Sequence, residues 1–453
     1  MPVVEDVFWK SVIKSIWVGG ITVALLTEGK IQWEETNLGR HIDHLIYGAV
    51  QRWLLPKPDP KDKLPVTVVD ISDLTEEVPS ATPENDDGSS GKHIAITPRQ
   101  PLIELIKAIA KEGPCAIGLD LNMAPEADRP KLSVKDRELL GLMQALGTPD
   151  HERNSKPIKC VVAVGDRSQY LEPEDWLGDA AYYELAGTAS ILVKDPRCLP
   201  WLLRKRGVDN DSSESVLYSL SAQLALGGGA KSLDHAGHWF SYLHETIPES
   251  PHDNLWVDEC YWVDYSSLNR LRHEALLGFE PAMIASAKEK IANKVVLIGR
   301  IARLDDGSLP RAGVDDYDVI PGVLTHACGV LTLLRGGLIQ PTHHARLISD
   351  VVLSALAILT VQGVRTMYRK KKGAKVNIHG THGLVTWAAI IVVVVAGIVL
   401  AAFFRVVWTD PPLIAVAMLL HDKLENLLLA IPRAVKDIIV RCIFSKLGDD
   451  HAH

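Results

Sequence analysis

Two aspartates in the first third of the chain stand where a ligand site would need them. Asp70 closes the apolar run PVTVVD, Asp120 closes CAIGLD, and Arg99 opens the helical stretch between them. In an open α/β sheet, ligands bind in the crevice beyond the carboxyl ends of the strands, so these carboxylates could hold a cation or a polar ligand. They could also cap a following helix or pair with Arg99. The sequence leaves both interpretations open.

His326 presents a similar choice, because it lies in an apolar helical stretch and is either a satisfied core histidine or a ligand group. No hydroxyl or thiol stands beside an obvious base, so we predict no catalytic residue. The cysteines contain no CxxC pair, and the loosely spaced histidines between residues 235 and 252 do not match a metal-ligand pattern, so no metal and no cofactor is expected. Cys198 and Cys260 form the one pair that we would test for a disulfide.

Alternating strands and helices must position these groups. Short apolar strands are predicted at residues 65–71, 115–121, 160–165 and 294–299, and helical periodicity follows Pro101 and covers residues 136–146. Such alternation predicts an α/β fold with a mainly parallel sheet covered by helices on both faces. The polar, turn-rich stretches 75–92, 147–157 and 248–254 are predicted to be loops.

The ends of the chain are far more apolar than its middle. Residues 384–404 form a run of 21 residues without a charge, which as a helix would span about 31 Å and cross a bilayer. Residues 12–27 and 347–364 are further predicted spans, and residues 406–420 are a weaker one. The segment 365–383 contains six Lys or Arg residues and no acid, so the positive-inside rule places it in the cytoplasm.

These segments predict about four transmembrane α-helices with both termini in the cytoplasm. Residues 1–28 would form an N-terminal anchor, 29–345 an extracytoplasmic domain, 346–421 three transmembrane helices, and 422–453 a cytoplasmic amphipathic tail. The net charge is −8, and no stripe of Lys and Arg alternates with aromatic residues. Nucleic acid is therefore not an expected partner.

Four motifs in a fixed order resemble the second type of CHASE domain, a bacterial extracytoplasmic sensor module. They are VTVVDIS, TPRQPLIELIKAIAKEGPCAIGLDLNMAPE, KVVLIGRI and IPGVLTHACGVLTLLRGGLI, and the resemblance covers roughly residues 35–345. The resemblance also implies one N-terminal anchor and a group of three later spans. The resemblance implies that the candidate ligand-binding residues are Asp70, Arg99, Asp120 and His326. It also implies a structural motif formed by Gly299, Pro321 and Gly322.

A sensor of this family usually signals to a catalytic domain after its last span. Here residues 421–453 contain no phosphate-binding glycine loop and no catalytic constellation. We therefore expect a sensor or scaffold of the bacterial inner membrane without its own catalytic output. Its expected partners are the lipid bilayer, a second copy of the chain, and a separate signalling protein contacted by the cytoplasmic tail. The alternative is an exported hydrolase or transferase that uses the strand-end carboxylates.

Overall fold

The structure is a computed structural model, and it divides the chain into two compact units, residues 48–340 and residues 1–47 with 341–453. It describes residues 20–21, 23–30, 63–79, 93–121, 123, 132–148, 156–164, 177–178, 184–188, 198–205, 215–230, 247–250, 255–301, 320–336, 339–340, 347–360, 391, 395 and 397.

The unit formed by residues 48–340 contains thirteen described strands, seven described α-helices and a described 3₁₀ helix at Tyr265–Ser267. The strands are β1 (Val66–Asp70), β2 (Glu76–Pro79), β3 (His93–Ile96), β4 (Ala116–Asp120), β5 (Lys159–Val164), β6 (Ala186–Thr188), β7 (Cys198–Lys205), β8 (Ser215–Tyr218), β9 (Ile247–Ser250), β10 (Leu255–Trp262), β11 (Leu276–Gly278), β12 (Val295–Gly299) and β13 (Ile339–Gln340). The helices are α1 (Arg99–Lys111), α2 (Val134–Gly147), α3 (Leu220–Gly227), α4 (Leu268–Glu274), α5 (Pro281–Ser286), α6 (Lys288–Ile291) and α7 (Gly322–Leu334).

Six of the strands form one sheet in the order β11-β1-β12-β4-β5-β6, and every pairing in it is parallel. The α/β class and the parallel sheet predicted from the sequence are therefore confirmed. The four apolar runs became β1, β4, β5 and β12. The sequence did not predict β6 and β11, because three residues are too few to display a period.

Helices cover both faces of this sheet, and strand residues alternate between them. Val66 and Val68 belong to a cluster that contains Leu224 of α3, Leu271 of α4 and Leu324 of α7. On the other face, Val69 belongs to a cluster that contains residues of α1 and α2. We call these the α3/α7 face and the α1/α2 face. Burial on both sides explains why the central strands are almost continuously apolar.

A second sheet was not predicted. It is antiparallel, with the order β13-β10-β7-β8 and with β9 paired to β10. Two predicted loops also contain strands, since β9 lies partly in the 248–254 stretch and β2 pairs with β3 from within the 75–92 stretch. Glu and Pro are poor strand formers, so in these strands cross-strand pairing overrides local propensity.

The candidate disulfide pair lies in this second sheet. Cys198 is opposite Trp262, and Cys260 is opposite Pro200, so the two cysteines are diagonal neighbours on adjacent strands rather than a facing pair. Their side chains are outside the described part of the structure. Cys115, Cys160 and Cys328 are free thiols, and burial raises the pKa of Cys160 to about 12. Such a thiol is unreactive at neutral pH.

In the other unit, residues 20–21, 23–30 and 347–360 are helical. Within the described residues, no helix combines the length and the apolar character needed to cross a membrane. The predicted spans 384–404 and 406–420 fall almost entirely outside the described residues, as do the basic loop 365–383 and the tail 422–453. The predicted transmembrane part of the fold therefore stays a prediction.

Candidate functional site

The carboxyl edge of the six-stranded sheet brings Asp70 and Asp120 into one row. Asp70 of β1 is in register with Gly299 of β12, and Gly299 is in register with Asp120 of β4. Because the strands are parallel, both carboxylates lie at the same edge. Both also belong to the α3/α7 face, since each continues the alternation of its strand.

Gly299 allows α7 to approach this edge closely. A Cβ atom at this position would lie 2.9 Å from Cβ of Val323 and 3.3 Å from Cβ of Asp120. Pro321 precedes the first helical residue, Gly322, and provides no side-chain cap. The structural motif expected from the resemblance thus serves to seat the first turn of α7 on the strand ends.

Asp70 is tied into the backbone of the two central strands. Its Oδ1 accepts hydrogen bonds from the backbone N–H of Ser72 at 2.9 Å, from the hydroxyl of Ser72 at 2.6 Å and from the N–H of Ile301 at 3.3 Å. The Ser72 hydroxyl also reaches the carbonyl of Ile301 at 2.7 Å. Asp70 therefore fastens the segment after β1 to the segment after β12, which is a structural task.

Asp120 has a different environment. Within the described residues no group donates a hydrogen bond to its carboxylate, and its electrostatic neighbour is His326 of α7. Burial raises the pKa of Asp120, and the nearby His326 opposes that shift in part. Asp120 is thus a carboxyl whose charged form the fold disfavours.

His326 lies between Asp120 at the carboxyl edge of the sheet and Ser221 in the interior. Its side chain is 1% exposed, and Nδ1 lies 2.9 Å from Oγ of Ser221 in α3. Ser221 is itself fully buried, so its hydroxyl cannot meet a substrate. Of the two interpretations left open for His326, the structure gives it the surroundings of a core histidine with a hydroxyl partner.

Ser221 was not singled out from the sequence. It stands in SLSAQLAL, where an apolar helix gives no reason to separate one serine from its neighbours. The sequence did show that Ser221 lies in the first turn of a helix. Ser219 precedes this helix, and its side chain caps α3 by accepting a hydrogen bond from the N–H of Ala222. Its pairing with a residue 105 positions away depends on tertiary structure alone.

Arg99 shares the edge with the aspartates but lies on the opposite face. Its Nε donates to Oδ1 of Asp136 at 2.6 Å, and its Nη1 donates to the carbonyl of Thr97 at 2.8 Å. Asp136 also completes the capping box of α2 with Ser133. Although burial acts to raise the pKa of Asp136, the hydrogen bonds from Ser133 and Arg99 lower it overall. The carboxylate partner of Arg99 is thus Asp136 of the α1/α2 face.

Arg300 is a second residue that sequence reasoning missed. It follows Gly299 directly, and its Nη2 donates to Oγ1 of Thr97 at 2.9 Å. The alternation of β12 places it on the α1/α2 face, near Arg99. The quoted motif KVVLIGRI contains it, so its position at a strand end was visible in the sequence.

The described residues contain no group of three or more His, Cys, Asp or Glu side chains able to hold a metal ion. Chemically, the α3/α7 side of the edge offers a partly buried acid beside a buried histidine. The α1/α2 side offers two guanidinium groups near the beginning of α1.

Comparison with known proteins gives one family. The family model described as CHASE2 domain matches residues 18–364, a range that includes the helical residues 23–30 and 347–360. No curated protein and no solved structure matches the chain.

Proposed function

Because the chain belongs to the CHASE2 family, whose domains are sensory and extracellular, we propose that it is a membrane-anchored sensor of a bacterial inner membrane. Residues 29–345 would face the periplasm or the exterior, and the flanking helices would hold them at the bilayer. The sensor would signal through self-association or through a separate protein bound to the tail 422–453.

The helical residues 23–30 and 347–360 carry this proposal. Oγ1 of Thr27 donates a hydrogen bond to Oδ2 of Asp350 at 2.7 Å, and both side chains are fully buried. Asp350 is the only charged residue between 347 and 360. This helix thus hides its one acid against the helix that precedes the sensor domain.

The outer surface of the same helix is apolar. Ile348, Val352, Leu356 and Leu359 are exposed, and their spacing places them on one side. The buried side contains Leu353 and Ile358 as well as the paired Asp350, so apolar residues lie on both sides of the helix. Helices of this kind are buried in protein or in lipid, and polar side chains within membranes are paired between helices.

The position of this hydrogen bond agrees with the proposed topology. Thr27 ends the predicted span 12–27, and Asp350 begins the span 347–364. Two antiparallel spans on either side of an exported domain would have these ends at the same outer interface. The match of the family over residues 18–364 supports including both segments in one sensor unit.

Paired cysteines can test this arrangement in native membranes. A Cβ at Gly20 would lie 3.8 Å from Cγ1 of Val351, whereas Val352 is 51% exposed. We expect Gly20→Cys with Val351→Cys to cross-link on mild oxidation and Gly20→Cys with Val352→Cys to do so much less. A protease site inserted within residues 80–92 makes the link visible as two fragments joined on a non-reducing gel.

The design separates this link from native thiols, because all six cysteines follow residue 92. Gly20→Cys alone is the control for links to those cysteines. Equal cross-linking of the Val351 and Val352 pairs, or none of either, would contradict the packing of the two helices.

Association is the second part of the proposal. We expect at least a dimer by mass photometry in mild detergent, because a signal carried across a bilayer needs helices with two alternative packings. Monomers alone, with no cytoplasmic protein recovered after cross-linking of native membranes, would remove the proposed route of output.

A further inference from the structure

We infer that the edge of the six-stranded sheet at which its strands begin binds the anionic headgroups of a phospholipid bilayer through a patch of lysines. We call this side the amino edge, and Asp70 and Asp120 lie at the opposite, carboxyl edge. The inference rests on the proposed sensor function and deepens it, because it names the partner of this surface and the chemistry that recognises it.

Three segments of the chain lead into three neighbouring strands at the amino edge. They are residues 63–65 before β1, 111–115 before β4 and 288–294 before β12. The charged residues of these segments are five lysines, which we call the lysine patch, and two glutamates: Lys63, Lys111, Lys288, Lys290 and Lys294, with Glu112 and Glu289. Three of the lysines are exposed and two are half-buried. The amino edge of these three strands therefore carries an excess of positive charge.

Backbone hydrogen bonds hold the three segments side by side. The N–H of Val295 donates to the carbonyl of Pro65 at 3.0 Å, which joins the segment before β12 to the segment before β1. The N–H of Asn293 donates to the carbonyl of Gly113 at 2.9 Å, which joins it to the segment before β4. The lysine patch is therefore carried by a fixed backbone, as binding groups need to be.

The lysine patch has more positive charge than its own acids balance. Nζ of Lys63 lies 2.6 Å from Oε2 of Glu289, and both side chains are largely exposed. Within the described residues, the other four lysines form no ion pair. Burial lowers the pKa of Lys294, and the charges of Lys63 and Lys290 lower it further, opposed in part by Glu289. Like charges held this close together favour an anion among them.

The chain enters β1 and leaves α7 at this same edge. Helix α7 begins at the carboxyl edge, against Gly299, and runs back along the sheet. A Cβ at Gly228 would lie 2.7 Å from Cγ2 of Val295, the first residue of β12, and 3.2 Å from Cδ2 of Leu334, the last residue of α7. Helix α7 therefore ends at the amino edge, and twelve residues separate it from the helical residues 347–360.

These connections favour a lipid surface as the occupant. In the proposed function, the helices on both sides of the sensor domain lie in the bilayer, so the chain runs from the amino edge toward the headgroups in both directions. Anionic lipids attract each nearby lysine, with a preference of about fivefold per residue. Lysines are flexible point charges, which suits a fluid array of phosphate groups. The carboxyl edge, with its two aspartates, would then face away from the bilayer.

Amine labelling of the full chain in lipid nanodiscs can test this surface. One set of discs contains phosphatidylcholine alone, and the other contains phosphatidylcholine mixed with phosphatidylglycerol. We expect acetylation of Lys63 and Lys294 by an N-hydroxysuccinimide ester, measured by mass spectrometry, to be about threefold slower or more in the anionic discs. Salt at about 1 M should remove the difference, because it shortens the Debye length to about 3 Å. Lys135, which is exposed at the beginning of α2, should label equally in both sets.

A double variant can confirm that the lysine patch acts through its charge. Lys288→Gln with Lys290→Gln removes two positive charges from α6 and keeps the lysines that are measured. The protection of Lys63 and Lys294 in anionic discs should fall about twofold or more. The matched control is Lys135→Gln with Arg137→Gln, which removes the same charge from the exposed beginning of α2 and should leave the protection unchanged.

Three results would overturn the lipid surface. Fast labelling of the lysine patch in both sets of discs would mean that nothing covers it. Slow labelling in both sets would mean that a second protein chain covers it. Equal protection by inorganic phosphate added to the neutral discs would mean that the lysines bind a free anion.

The same discs separate this inference from the proposed function. A chain that does not assemble into discs would fail the proposed function itself. A chain that assembles but shows no effect of phosphatidylglycerol would fail this inference alone, and the proposed packing of the flanking helices would stand on its own cross-linking test.

Discussion

Asp70 and Asp120 end two strands on either side of β12, in the same register and on the same face, yet the protein treats them differently. Asp70 accepts three hydrogen bonds from Ser72 and Ile301. Asp120 is buried near His326. Burial raises its pKa, and the histidine opposes that shift only in part. The same residue type therefore has a structural task at the end of β1, whereas at the end of β4 it is a buried carboxyl whose charged form is disfavoured.

The difference gives a way to separate structural from functional polar groups at this edge. A group whose partners lie within the protein contributes to stability, and its removal should be costly. A buried carboxyl that accepts no hydrogen bond from the described residues costs free energy in its charged form, so its removal should cost little or nothing. Asp136, which pairs with Arg99 and completes the capping box of α2, belongs with Asp70 in this division.

The largest effect is expected for Asp70→Ala. Loss of the carboxylate leaves the N–H groups of Ser72 and Ile301 without this acceptor, which should destabilise the domain by about 3 kcal/mol. Urea unfolding of the purified protein measures the change. Asp73→Ala is the matched control, because Asp73 is exposed three residues further on, and it should leave the midpoint unchanged. If both variants lost a similar amount of stability, the hydrogen bonds of Asp70 would not have the structural role assigned to them.

Gly299→Ala tests the close approach of α7 to the end of β12, between Asp70 and Asp120. The new Cβ would lie 2.9 Å from Cβ of Val323, an atom that cannot move without its helix, so we expect a loss of about 2 kcal/mol. Gly141→Ala in α2 meets nothing within 4 Å, and there the better helix propensity should stabilise by about 0.5–1 kcal/mol. Thermal unfolding should give shifts of opposite sign, and shifts of the same sign would contradict the packing.

Asp136→Asn should cost about 1–2 kcal/mol, because it weakens both the pair with Arg99 and the capping box of α2. The pKa of Asp136 is lowered in the folded protein. Its contribution is therefore present above about pH 4, the ordinary range for Asp, and is lost as the pH falls below it. Glu138→Gln, which removes an exposed pair with Lys135 on the same helix, should leave stability unchanged at every pH.

Asp120→Asn should have the smallest effect, from no change to about 1 kcal/mol of stabilisation at pH 7. The raised pKa means that the folded state holds its proton longer than the unfolded chain. The ordinary pKa of Asp, about 4, applies to the unfolded chain, and the pKa in the folded protein is higher. As the pH rises from the first value through the second, Asp120 therefore lowers the free energy of unfolding. The variant should lack this decline in a pH series of unfolding curves. A destabilised Asp120→Asn would place Asp120 with Asp70 among the structural groups.

Much of the fold was predictable because it depends on local pattern. The strands β1, β4, β5 and β12 are short apolar runs separated by helices, and this alternation defines a parallel sheet. The antiparallel sheet was not predictable in this way. Its strands β9 and β10 contain Pro, Glu and Asp, and they are defined by their partners rather than by a period.

The candidate site shows the same limit. Both strand-end aspartates could be found from the sequence, and the period of two along a strand could have separated the faces. The partners could not be found: Asp136 lies 37 residues from Arg99, Thr97 lies 203 from Arg300, and Ser221 lies 105 from His326. Which carboxylate is satisfied depends on these distant contacts.

The proposal that the sensor domain is exported and held by paired membrane helices has its most direct test in a set of reporter fusions in living cells. Dual reporters placed after Lys30, Lys372 and His453 should report an exported, a cytoplasmic and a cytoplasmic location, because the basic segment 365–383 follows the positive-inside rule. An exported reporter after Lys372 would contradict the account.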